Sequence, residues 1–121
     1  MYENDYIMKM IKAAMQVIKA IVKGRDAIES SIDENSNDII IGEDQLLEIM
    51  VNKYVSEGNI NEAENIIFEA LESRRSSRNI ETALSFYDEI SKWDEEKLIK
   101  YNFSKEEILE GLNIVRKMFD K

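Results

Sequence analysis

No proline occurs anywhere in the 121 residues of this chain. Proline breaks helices more strongly than any other residue, so a chain without it can run as long helices and must turn by other means. Glycine is also scarce, limited to Gly24, Gly42, Gly58 and Gly111. Apolar residues make up 44% of the chain, enough to drive folding around one modest core. The expectation is an all-α fold of five to six helices, arranged as antiparallel hairpins in a single domain over residues 1–121.

The apolar spacing places the helices. Ile7, Met10, Ile11, Ala14, Val17, Ile18 and Ile21 recur at intervals of three and four, which predicts an amphipathic N-terminal helix within residues 1–29. Met8, Met10 and Met15 add adaptable surface to it. Residues 30–44 read as an acidic linker, with turn formers at Ser30-Ser31 and Asn35-Ser36-Asn37-Asp38. Within it the β-branched run Ile39-Ile40-Ile41 reads as an extended stretch laid on the core.

Residues 45–121 form the expected helical core. Leu46, Leu47, Met50, Val51, Tyr54 and Val55 mark one helix, stopped at Glu57-Gly58-Asn59 with Gly58 in the left-handed conformation. Ala63, Ile66, Ile67, Ala70 and Leu71 mark the next, and so short a turn makes the pair an antiparallel hairpin over 45–72. Asn79 is expected to cap a further helix carrying Ile80, Ala83, Leu84, Tyr87 and Ile90. A shorter helical stretch follows around Asp94 to Lys100, with Asn102 as a left-handed stop. Ser104-Lys105-Glu106-Glu107 is a capping box that opens the last helix.

The central hairpin resembles a tetratricopeptide repeat over Leu47 to Ala70. Leu47, Met50, Val51 and Tyr54 stand at the first-helix apolar positions, Gly58-Asn59-Ile60-Asn61-Glu62-Ala63 at the turn, and Ile67 and Ala70 in the second helix. Arg75 stands where that repeat closes with proline. Asn79-Ile80-Glu81-Thr82-Ala83 echoes the turn at an offset of 20 residues, against a usual period of about 34, so no tandem second unit is expected. The resemblance implies that Gln45, Glu48, Asn52 and Ser56 line a concave face. Glu48 would repel a carboxylate there, which suits the face to a basic or polar peptide. Elsewhere, Glu3-Asn4-Asp5-Tyr6-Ile7-Met8-Lys9-Met10-Ile11 and Tyr101-Asn102-Phe103-Ser104-Lys105-Glu106-Glu107-Ile108 with Gly111-Leu112 are similar to a family of small uncharacterised bacterial helical proteins. That resemblance implies a fold and no mechanism.

What the chain lacks bounds its chemistry. It has no cysteine and no histidine, which excludes thiolate catalysis, disulfides, zinc-thiolate sites and histidine triads. Neighbouring carboxylates such as Glu106-Glu107 do not face one another on a helix and read as solvated first turns. No phosphate-binding glycine loop or nucleophile elbow is present. The expectation is no enzyme and no cofactor. Asp33, Asn35, Asn37 and Asp44 do echo positions 1, 3, 5 and 12 of a calcium loop. However, Asp38 replaces the turn glycine and Asp44 the bidentate glutamate, so no metal is expected.

Charge sorts the remaining partners. The net charge is −9, which argues against nucleic acid. Residues 1–25 carry five cations against two anions, a net of +3, leaving −12 on the rest. Lys9, Lys12, Lys19 and Lys23 could meet an anionic lipid surface or an acidic partner, but Glu3 and Asp5 and the thin aromatic content argue against a membrane. Nothing resembles a secretion signal, and cytoplasm is the expected location. The functional expectation is a non-catalytic protein-interaction module with a protein or peptide partner. One alternative is a homodimer or other homo-oligomer assembled through the N-terminal helix. Another, resting on the calcium-loop echo, is divalent-cation binding or metal-dependent carboxylate chemistry.

Overall fold

The computed structural model describes residues 2–29 and 38–119 of the chain, and every secondary-structure element among them is helical. The first helix, α1, runs Tyr2–Glu29 and continues through Gly24. It packs against two later helices, α4 (Ser77–Ser91) and α6 (Lys105–Phe119). Its buried stripe is Ile11, Met15, Ile18 and Val22. That face is rotated from the one the spacing suggested: Met15 is core rather than adaptable surface, while Met10 and Val17 are exposed. The apolar arc of α1 is wider than the neighbours it packs on, so one edge is left outside. Lys9, Lys12, Lys19 and Lys23 all point to solvent.

The second helix, α2, spans Asp38–Ser56, so the expected linker over 30–44 ends earlier. Ile39, Ile40 and Ile41 are helical rather than extended. A β-branched residue costs a helix only about 0.5 kcal/mol, and adding turns to a helix already nucleated overrides that preference. Leu47 and Val51 are buried, whereas Leu46, Ile49 and Met50 remain on the surface.

A hairpin joins α2 to α3 (Ile60–Ser73) through a left-handed stop at Gly58, with φ of 81°. The Asn59 amide donates to the Tyr54 carbonyl (2.8 Å) and the Gly58 amide to the Val55 carbonyl (3.0 Å). This pair of reverse bonds satisfies the last carbonyls of α2. The same device ends α5 (Glu95–Lys100): Asn102 takes a φ of 60°, and the Phe103 and Asn102 amides, both at 2.9 Å, donate to Leu98 and Ile99. Phe103 is buried as the apolar anchor of that turn. The two turns meet. The Tyr101 ring lies against Gly58 where any side chain would stand, and Asn61 Nδ2 donates to the Asn102 carbonyl at 3.1 Å.

The helix N-termini follow their caps. Ser104 Oγ accepts from the Glu107 amide at the start of α6, and Asp94 Oδ1 accepts from the Lys97 amide at the start of α5. At α4 the cap is Ser76 and not Asn79: Ser76 Oγ accepts from the Asn79 amide at 3.1 Å. Asn79 lies one turn inside the helix, buried, with Nδ2 donating to the Arg74 carbonyl. Helix α4 is the centre of the fold, in contact with α1, α2, α3 and α6.

Candidate functional site

Because α2 and α4 both pack on α3 and on each other, their outward faces form the two walls of a groove. Its volume is about 530 Å³. Helix α2 contributes Glu48, Asn52 and Ser56 with Val51 and Val55 beneath them, and α4 contributes Thr82, Ser85, Phe86 and Glu89. One end is closed by Trp93, Lys97 and Tyr101, from the joint after α4 and from α5 and its last turn. The helix period explains the α2 wall: residues 48, 52 and 56 are successive i, i+4 neighbours on one face. Of the four residues expected on a concave face, Glu48, Asn52 and Ser56 come together here. Gln45 is exposed one turn earlier and does not line the groove.

The polar groups in this groove are only partly satisfied by the protein. Ser56 Oγ donates to the Lys53 carbonyl at 2.7 Å. The Thr82 hydroxyl, on a residue only 3% exposed, has no hydrogen-bond partner among the described residues. The side chains of Glu48 and Glu89 likewise make no hydrogen bond or ion pair among the described residues. The aromatic end is built differently. Trp93 and Tyr101 stand with ring centroids 5.9 Å apart and planes inclined at 56°. The Lys97 ammonium sits 4.0 Å from the Trp93 centroid, and that of Lys100 lies 5.6 Å from Tyr101. Sequence reasoning missed the α4 wall and this aromatic end. The signal available was the polar stripe Thr82, Ser85 and Glu89 along α4, at spacings of three and four.

Of the four calcium-loop residues only Asp44 lies among the described residues. Asp44 is inside α2 and nearly buried, with its carboxylate bonded to the Arg74 guanidinium and to Ser76 Oγ (2.8 Å). Those bonds tie α2 to the connection before α4, and they take the oxygens a cation would need. Asp33, Asn35 and Asn37 lie outside the described residues. Among the described residues no three acidic side chains are placed to hold a metal ion.

A second polar pair lies on the opposite side of α4. Tyr87, fully buried, donates to Glu64 Oε2 at 2.7 Å, at the point where Gly111 brings α6 against both. Burial pushes the Glu64 carboxyl above its ordinary range despite that bond, with Glu107 and Glu110 adding repulsion. The Tyr87 hydroxyl is raised too, by burial first and then by Glu64, and stays protonated. The pair lies where α3, α4 and α6 meet, with Glu64 only partly buried there.

No described helix is long and apolar enough to cross a membrane. No curated protein and no solved structure matches the chain. One family does match, over residues 1–120, and by that match the chain belongs to DUF6483, a family of unknown function.

Proposed function

We propose that this protein is a non-catalytic interaction module of helical-repeat type, binding an extended protein segment in the groove between α2 and α4. One observation carries the reading: a preformed groove of about 530 Å³ has polar groups on both walls that the fold leaves open. The buried Thr82 hydroxyl is costly to leave without a partner, and a bound segment would satisfy it and meet the exposed carboxylates of Glu48 and Glu89. The stacking of α4 beside the α2–α3 hairpin supports the repeat-like part of the proposal. A bacterial cytoplasmic setting belongs to the same proposal, resting on the family resemblance and on a chain without cysteine.

The test is peptide selection from a random library on the wild-type protein and on Ser85→Trp, which fills the groove from an exposed position. Thermal melts check that the variant is folded. Selected peptides should bind the wild type and lose affinity for the filled groove by about tenfold or more. Equal binding to both proteins overturns the proposal.

A second reading has its own observation. Tyr6, Met10 and Val17 are 68%, 41% and 44% exposed along one edge of α1, and Ala13 and Ala20 are exposed on the same edge. A stripe at spacings of four and three suits a helix from a second copy, giving a homodimer. Light scattering should then give twice the chain mass, falling to one chain in Met10→Lys/Val17→Lys. A monomer at every concentration overturns this reading.

A further inference from the structure

We infer that the groove receives an arginine side chain of its partner, and that Lys97 holds the arginine's place on the Trp93 face while the groove is empty. This rests on reading the groove as a docking site, and it adds the chemistry of what docks.

The end of the groove is a cation site already in use. The Lys97 ammonium, four residues after Trp93, lies 4.0 Å from the ring centroid, within the range where a cation is held by the ring's negative face. Lys97 is exposed and makes no ion pair among the described residues, so only this ring contact fixes its ammonium. Its flexible stem can swing into water at little cost. Tyr101 stands 5.9 Å away, inclined to Trp93, and Lys100 occupies its face more loosely at 5.6 Å.

Along the same groove stand two carboxylates without a counter-ion, Glu48 on α2 and Glu89 on α4. Further along the α4 wall the buried Thr82 hydroxyl has no partner among the described residues. Thr82 lies about 10 Å along α4 from Glu89, so one side chain at the aromatic end answers the indole and the carboxylate charge, and needs a positive charge, a flat face and several donors. A guanidinium has all of these: it is planar, always charged, and carries five N–H donors that suit carboxylates. A lysine ammonium supplies the charge but neither the flat face nor the fork. An anionic segment would meet Glu48 and Glu89 and a chain of net charge −9.

Trp93 is the only tryptophan, so the emission has a single source at this end of the groove, a ring that also borders the hollow beside Met8 and Lys105. The experiment titrates the full chain with eight-residue Gly/Ser peptides carrying two Arg, two Lys or neither, followed by Trp93 emission and calorimetry. The Arg peptide should shift the emission and bind about tenfold tighter than the Lys peptide. Lys97→Ala should tighten the Arg peptide several-fold, since the internal occupant is gone. Glu48→Gln and Glu89→Gln should each weaken it about tenfold, while Glu72→Gln, on the surface of α3, leaves it unchanged. Equal affinity for Arg and Lys, or weaker binding in Lys97→Ala, overturns the inference. If the peptides still bind without preference and lose affinity in Ser85→Trp, read by calorimetry because that variant adds a second tryptophan, the docking groove stands and the arginine assignment falls. If no peptide binds in a way that Ser85→Trp abolishes, both fall together.

Discussion

The two sides of α4 treat polar groups in opposite ways. Toward α3 and α6, the Tyr87 hydroxyl is fully buried and bonded to Glu64, with Gly111 leaving room for both. Toward α2, Thr82 is nearly as deeply buried and its hydroxyl has no partner among the described residues, while the Glu89 carboxylate is exposed in the groove with no ion pair among them. The sides are one residue apart: Phe86 lines the groove, Tyr87 lines the core, and their rings touch edge-on at 4.9 Å. Satisfied polar groups on one side specify how helices fit. Of the buried polar atoms left without a partner among the described residues, Thr82 Oγ1, Asn79 Oδ1 and Arg116 Nε, only the Thr82 hydroxyl lines the groove, and it marks where a ligand could complete the fold.

Substitutions on each side can break or sharpen this contrast. The largest loss is expected at Gly111→Val, where the added side chain meets the Tyr87 hydroxyl and the Glu64 carboxylate. Overpacking of this kind costs about 1–3 kcal/mol or more, which exceeds the helix-propensity gain of less than about 1 kcal/mol from replacing glycine. Urea unfolding measures it. Gly58→Ala comes next, at about 1–2 kcal/mol for a side chain in the left-handed region. Its added methyl must also displace the Tyr101 ring, so the Trp93 emission should shift with the melting temperature.

The central pair of predictions compares the two hydroxyls. Tyr87→Phe removes a bonded one and should cost about 1 kcal/mol, because Glu64 loses its partner. Thr82→Val removes an orphan of similar shape and should be neutral or stabilising by about 0.5 kcal/mol. If Thr82→Val destabilises as much as Tyr87→Phe, the two sides are not different and the contrast fails. The same Thr82→Val variant should bind groove ligands less well, a gain of stability at the expense of function.

The smallest effect is a pH dependence. The Glu64 carboxyl is raised above its ordinary value of 4.5 by burial, so the folded state favours its protonated form. Its contribution to stability is therefore full below that value and is lost as pH rises through the folded-state pKa. Glu64→Gln keeps a partner for Tyr87 and removes the charge. Its melting temperature should exceed the wild type's at pH 7, and the difference should close as the pH falls below 4.5.

What was legible in the sequence was local. Gly58, Asn102 and Ser104 hold the turns and the cap that their residue types and neighbours indicated, because a left-handed turn or a helix cap is decided within a few residues. Glu48, Asn52 and Ser56 share a wall because one helix period fixes their common direction. What depends on a distant partner was not legible. Asp44 had the spacing of a loop ligand, yet its partner is Arg74, on a different connection. Val17 had the spacing of a core residue, yet no described helix covers that edge of α1. The aromatic end of the groove needs the placement of α5, and nothing near Trp93 or Lys97 in the chain announces the α2 wall they face.

Tyr101 has a consequence of its own. Its ring covers the α2–α3 turn at Gly58 and also lines the groove, and the Asn61 bond to Asn102 fastens the same two turns together. The reverse-turn amides of Gly58 and Asn59 therefore open to deuterium only when that ring lifts or the junction parts. Whatever occupies the groove and presses on Tyr101 should slow deuterium uptake at a turn it never touches, making the hairpin tip a remote gauge of occupancy.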